Sequence, residues 1–157
     1  MSVEISWEHP DVAHETLMSR IQEAAQGLLE TTALQERELS LVITDDKAMR
    51  ELNLTWRNVD DTTDVLSFPM DEGDAWIPGG PLGDIVISLD VAREQAITHQ
   101  MTLENELIYL MTHAFCHLRG YDHHEPEEAQ AMASEERRLL QIIAPDSARP
   151  SGYYPAE

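Results

Sequence analysis

The chain is poor in basic residues, cysteine and long apolar runs. Lys47 is its one lysine, and with nine arginines it makes 10 basic residues against 30 Asp and Glu, a formal net charge of −20 over 157 residues. That balance argues against a general nucleic-acid or anionic-membrane binder, which carries a basic surface. It does not exclude an RNA substrate, because screening over about 8 Å at physiological salt lets a local group of arginines outweigh distant carboxylates. The lone Cys116 rules out an internal disulfide, so nothing in the chain asks for an oxidising compartment. The longest clear apolar run, Leu107 to Met111, falls far short of the roughly 18 residues a membrane span needs. Met1 to Ile5 lack the basic start and apolar stretch of a signal peptide, and the cytoplasm is the expected location, with no membrane partner. Only 7 Gly and 8 Pro occur, with 42% apolar and 25% charged residues, so the composition is globular and neither disordered nor fibrous.

What is present is patterned for one domain. Alternation over Val3–Trp7 and the β-branched and Leu-rich stretch 39–43 predict strands. So do Asp64–Pro69, ended by proline, and Gly83–Ser88. Helical spacing runs from Val12 to Leu29, with Leu17, Ile21, Ala24, Ala25 and Leu28 on one face. Asp45 or Asp46 caps a short helix carrying Met49, Leu52 and Leu54. Three more helices follow, over Asp90–Gln100, Leu103–Arg119 and Glu125–Ile143, after a Gly- and Pro-rich loop at 71–81. Four strands placed early and about five helices around one small sheet make an α+β domain over residues 1–144. Residues 145–157, with Pro150, Gly152 and Pro155, are expected to form an extended or frayed tail.

The segment His113-Ala114-Phe115-Cys116-His117-Leu118-Arg119-Gly120-Tyr121-Asp122-His123 carries the chemistry. His113 and His117 are four apart, so on a helix their imidazoles share a face one turn from each other. Gly120, three residues on, is where a helix stops through a left-handed residue, letting the chain bring His123 back. Three converging neutral imidazoles form a metal site with a position open to water. Chance placement of His at both +4 and +10 in such a composition is on the order of 1%, and Gly at +7 cuts it to roughly 0.1%. On a helical projection Leu103, Leu107, Leu110, Met111, Ala114, Phe115 and Leu118 fill one arc, and the two histidines are expected at its margin beside Glu106 and Tyr109. The spacing also matches the metzincin pattern H-E-x-x-H-x-x-G-x-x-H, but Ala114 stands where a protease keeps its glutamate base. A methyl group accepts no proton, so peptide hydrolysis by the usual route lacks its base.

These residues resemble the YbeY family of bacterial rRNA-maturation endoribonucleases. The family signature H-G-x-x-H-L-x-G-Y-D-H is met by His113, His117-Leu118 and Gly120-Tyr121-Asp122-His123, with Ala114 in place of the usual glycine. Leu52-Asn53-Leu54-Thr55-Trp56-Arg57, followed by Thr63 to Pro69, is similar to the central family motif, and Leu82 to Ile87 to its strand motif. The resemblance implies a zincin-like metal-hydrolase fold with a mostly parallel or mixed four-stranded sheet. It implies one zinc ion held by His113, His117 and His123, and Arg57 as the arginine linked to activity. It also implies action on single-stranded RNA in maturing the 3′ end of small-subunit rRNA and in ribosome quality control. Implied partners are rRNA, the small subunit or whole ribosome, a small-subunit ribosomal protein and an Era-type GTPase. Asp61 stands where relatives often carry a basic residue, which removes one expected phosphate contact.

The residues themselves leave three classes open. Zinc held by three neutral imidazoles keeps its +2 charge and acidifies a bound water without a carboxylate at position 114. An arginine fork such as that of Arg57 matches the oxygens of a phosphodiester bidentately, although a surface pairing with Asp60 or Asp61 is the plain alternative. A metallopeptidase and a non-catalytic ribosome-assembly factor with a structural metal are the competing readings. Asp122 is a candidate to orient a ligand histidine or to hold the turn, and Asp84 to do either. His124 is expected to be solvated and Cys116 to be a small packed side chain. Glu125-Pro126-Glu127-Glu128 is expected to open the last helix.

Overall fold

Alternating side chains decide how the sheet is covered. In the computed structural model, which describes residues 3–70 and 80–145, β1 (Val3–Glu8), β2 (Glu38–Thr44) and β4 (Pro81–Ser88) run parallel. β3 (Val65–Pro69) pairs antiparallel with β4, and the order across the four strands is β1-β2-β4-β3. Leu39, Leu41 and Ile43 stand in register with Gly83, Ile85 and Ile87 on one side and Val3, Ile5 and Trp7 on the other. These residues share one face and enter the main core. The intervening residues Ser40, Val42 and Thr44, with Asp84, Val86 and Ser88, form the opposite face.

Four helices build the main core on the first face: α1 (Glu15–Thr31), α3 (Leu89–Thr98), α4 (Leu103–Leu118) and α5 (Pro126–Ile143). α2 (Asp46–Arg57) covers part of the second face, where Met49 and Leu52 meet Val42, Leu66, Phe68 and Val86 in a small separate cluster. The choice between the two aspartates falls on Asp45, whose Oδ1 accepts the Ala48 N–H at 2.9 Å as the cap of α2. Thr102 caps α4 in the same way through the Asn105 N–H. Pro126 at the first turn of α5, with Glu127 and Glu128 beside it, opens that helix as expected. The α+β class, the four-stranded mixed sheet and the five helices are therefore observed among the described residues.

Three local expectations are corrected. α1 begins at Glu15 and not at Val12, which is 86% exposed and contributes nothing to the buried stripe. Leu54 is also exposed, because the apolar side of α2 is used up by Met49 and Leu52. α4 has no polar side over its middle: every residue from Glu106 to Cys116 is buried, with the sheet on one side and α1, α3 and α5 around the rest. A helix enclosed on all sides shows no clean stripe, so His113 sits in the interior and not at a margin. The expected loop lies outside the described residues from 71 to 79, and Pro81 already belongs to β4. The expected tail likewise lies outside them beyond Pro145. Among the described residues, no helix is long and apolar enough to cross a membrane.

Candidate metal centre

The end of α4 makes the site by stopping abruptly. Gly120 adopts φ +97°, its N–H donates to the His117 carbonyl at 2.9 Å, and the Tyr121 N–H reaches back to the Cys116 carbonyl at 3.0 Å. This pair of bonds is a Schellman cap, which needs a left-handed residue at the glycine position. Leu118 and Tyr121 then pack against the main core on either side of the turn. The reversal carries His123 back over the last turn of the helix.

His113, His117 and His123 converge, each offering one ring nitrogen, and these nitrogens lie within 4.8 Å of one another. The ring centroids of His113 and His117 are 4.8 Å apart, those of His117 and His123 5.2 Å, and those of His113 and His123 5.7 Å. His113 is fully buried while the other two are half-buried, so the cluster has a closed floor and a solvent side. Among the described residues no fourth His, Cys, Asp or Glu completes the group. Three imidazoles are a zinc-type donor set, and three ligands with a side open to solvent match a catalytic and not a closed structural site. The donor set therefore fits a divalent transition ion.

Behind the cluster, α5 supplies two buried carboxylates with different partners. Glu136 Oε2 lies 2.5 Å from His113 Nδ1, and its Oε1 accepts the Tyr109 hydroxyl at 3.4 Å. Glu135 accepts from both Arg138 nitrogens at 2.8 Å and from Arg119 at 2.5 Å. Hydrogen bonds from Arg138 hold its carboxyl down to about 2 against the opposing effect of burial, and Arg119 adds to them. Arg119, the capping residue of α4, lies over the rings of Phe115 and Tyr121. The turn that presents His123 is thus clamped to α5.

The remaining candidates are placed as follows. Arg57 is the exposed last residue of α2, the helix whose Met49 and Leu52 cover the second face of the sheet. Its plain alternative is not realised: Asp60 pairs with Arg50 at 2.8 Å, and Asp61 Oδ1 accepts the Thr62 N–H. Ala114 is packed in the main core, where a methyl fits without adjustment. Asp122 accepts the His123 N–H at 2.7 Å and sits 3.3 Å from His124 Nε2, so it holds the turn. His124 is solvated and Cys116 is buried, its thiol pushed above the ordinary range by desolvation. Asp84 is neither a turn residue nor a neighbour of the histidines; it lies within β4, opposite Ser40 and Phe68 on the second face. Glu136 escaped the sequence reading. The available signal was its spacing: with Met132, Leu139 and Leu140 it falls on the buried side of α5, a carboxylate in an apolar stripe.

A Myxococcus xanthus protein named Endoribonuclease YbeY is 47% identical over 117 residues, covering 74% of this chain but 40% of its own length. One from Agrobacterium fabrum is 45% identical over 109 residues, covering 68% of this chain and 64% of the relative. One from Leifsonia xyli is 38% identical over 145 residues, covering 89% and 94%. The solution structure of a Thermotoga maritima protein superposes with a TM-score of 0.62 at 22% identity, over 96% of this chain and all of that one, which supports the fold. The family model described as Endoribonuclease YbeY matches residues 2–144, nearly the whole length, and the chain therefore belongs to the YbeY family.

Proposed function

We propose that this chain is a single-strand-specific, zinc-dependent endoribonuclease of rRNA processing and ribosome quality control, carried by one domain over residues 1–144. The observation that carries this reading is the convergence of His113, His117 and His123 on one point. A divalent ion bound there supplies Lewis acidity to water and to a phosphoryl oxygen. The imidazoles hold it through neutral nitrogens and leave its charge intact, which suits attack on an anionic diester. Ala114 keeps a carboxylate away from that position and so disfavours peptide hydrolysis. Arg57, exposed and engaged by neither Asp60 nor Asp61, supplies a fork for phosphate oxygens. Its exposed position at the end of α2 leaves it accessible to an RNA strand. The net charge of −20 makes free RNA a weak ligand, so productive cleavage depends on docking to the small subunit in the cytoplasm, with a small-subunit protein and an Era-type GTPase as partners.

Elemental analysis combined with a single-stranded RNA cleavage assay, with and without chelator, tests the reading. One ion per chain and chelator-sensitive cleavage are expected. His113→Ala loses the ion, and full retention contradicts the ligand assignment. Arg57→Glu abolishes cleavage with metal content unchanged; undiminished cleavage removes Arg57 from the mechanism. Cleavage of a peptide library with RNA left intact favours the metallopeptidase. An ion bound without any cleavage favours a structural metal in an assembly factor.

A further inference from the structure

Glu136 is an expensive residue to keep where it is. Its side chain is 5% exposed, on a buried helix side shared with Met132, Leu139, Leu140 and the arginine-paired Glu135, and a buried carboxylate is tolerated only when its oxygens find donors. The donors found are the Nδ1 of the fully buried His113, at 2.5 Å, and the Tyr109 hydroxyl. Both come from α4, so the pair also bridges α4 to α5 at the level of the metal cluster. A carboxylate accepts hydrogen bonds and donates none, so the contact requires a proton on His113 Nδ1. In the neutral ring the lone pair then resides on Nε2, the nitrogen left for a metal.

We infer that Glu136 is a positioning residue that fixes His113 as its Nδ1–H tautomer and aims Nε2 at the ion. The inference rests on the metal reading above and deepens it by naming the group behind the most deeply buried ligand. Carboxylates placed behind a ligand histidine set its tautomer and orientation and raise its basicity, and their removal costs roughly 10–100-fold in metal affinity. The neighbouring Glu135 illustrates the contrast. It is slightly less buried, and its oxygens are taken by Arg119 and Arg138.

The test is zinc affinity of the full chain, measured by competition against a chromogenic chelator, for wild type and Glu136→Gln, with thermal midpoints of both metal-free forms. Glu136→Gln keeps the volume but weakens the acceptor and offers the ring a competing donor. A loss of roughly 10–100-fold in zinc affinity is expected, with partial recovery in Glu136→Asp. A carboxylate that serves packing alone would lower the thermal midpoint and leave zinc affinity at the wild-type value, and that result overturns the inference while sparing the metal reading. Wild type that binds no zinc overturns both. Should Glu136→Gln fail to fold, ring-nitrogen NMR of metal-free wild type decides. Protonation of His113 at Nδ1 supports the assignment, and protonation at Nε2 overturns it.

Discussion

The two faces of the sheet are built to different standards. The face toward α4 is packed shut: Phe115, Leu41, Ile43, Ile85 and Ile87 are fully buried, and even the polar His113, Thr112 and Glu106 are excluded from solvent. The face toward α2 is half open. A groove of about 720 Å³ runs there between Leu52, Trp56, Phe68 and Val86, and Trp56 is 67% exposed with its ring edge-on to Phe68. The lesson is about precision. A metal site needs rigid, preorganised side chains, and the histidines proposed to form one sit on α4, enclosed by the sheet, α1, α3 and α5, and on the turn that ends it. Arg57, whose proposed partner is a long flexible polymer, is the exposed end of the helix that covers this half-open face.

That contrast is open to breaking, beginning with the core. Phe115→Ala, two residues from His113, should cost about 3–5 kcal/mol in denaturant unfolding, because it empties a fully buried volume with little room to collapse. A cost below about 1 kcal/mol would show that the enclosed face is less rigid than its burial implies. Gly83→Ala comes next. An added methyl would stand 2.6 Å from the Phe68 carbonyl and 2.8 Å from Leu118 Cδ2, so the backbone of the edge strand must give way and the Leu118 side chain must move. A loss of about 1–3 kcal/mol in unfolding free energy is expected.

The Glu135 clamp gives a smaller, pH-dependent signal. Its folded carboxyl is held near 2, below the ordinary 4.5, so its contribution is fully present above about pH 4.5 and is lost as pH falls toward 2. Urea midpoints of wild type should therefore decline more steeply across that window than those of Glu135→Gln. Parallel declines would mean the arginine contacts do not hold in solution. The smallest effect belongs to the open face. Trp56→Ala should shift stability by no more than about 0.5 kcal/mol, since an exposed ring forfeits little on removal. A loss as large as that of Phe115→Ala would erase the distinction between the two faces.

Much of this was legible in order along the chain. Strand alternation, the Asp45 cap and Pro126 at the start of α5 are local signals, set by backbone preference and by neighbours within a turn. The histidine cluster was legible for the same reason: a helical turn and a Gly120 cap are short-range geometry, and they bring three histidines together within eleven residues. The misplacements were of another kind. The first helix was expected from Val12 and begins at Glu15, Leu54 was grouped with Met49 and Leu52 and is exposed, and His113 looked marginal and is interior, because exposure depends on which other elements arrive.

By itself, then, the sequence determined the elements, the class of fold and the spacing of the clustered histidines, all of which follow from periodicity over a few residues. The tertiary structure alone decided that α4 lies enclosed, that Glu136 of α5 stands behind His113 twenty-three positions away, and that Arg57 keeps its guanidinium clear of Asp60 and Asp61. The physical reason is that burial and ion pairing are settled between elements distant along the chain, where each carboxylate takes the best donor that packing brings within reach.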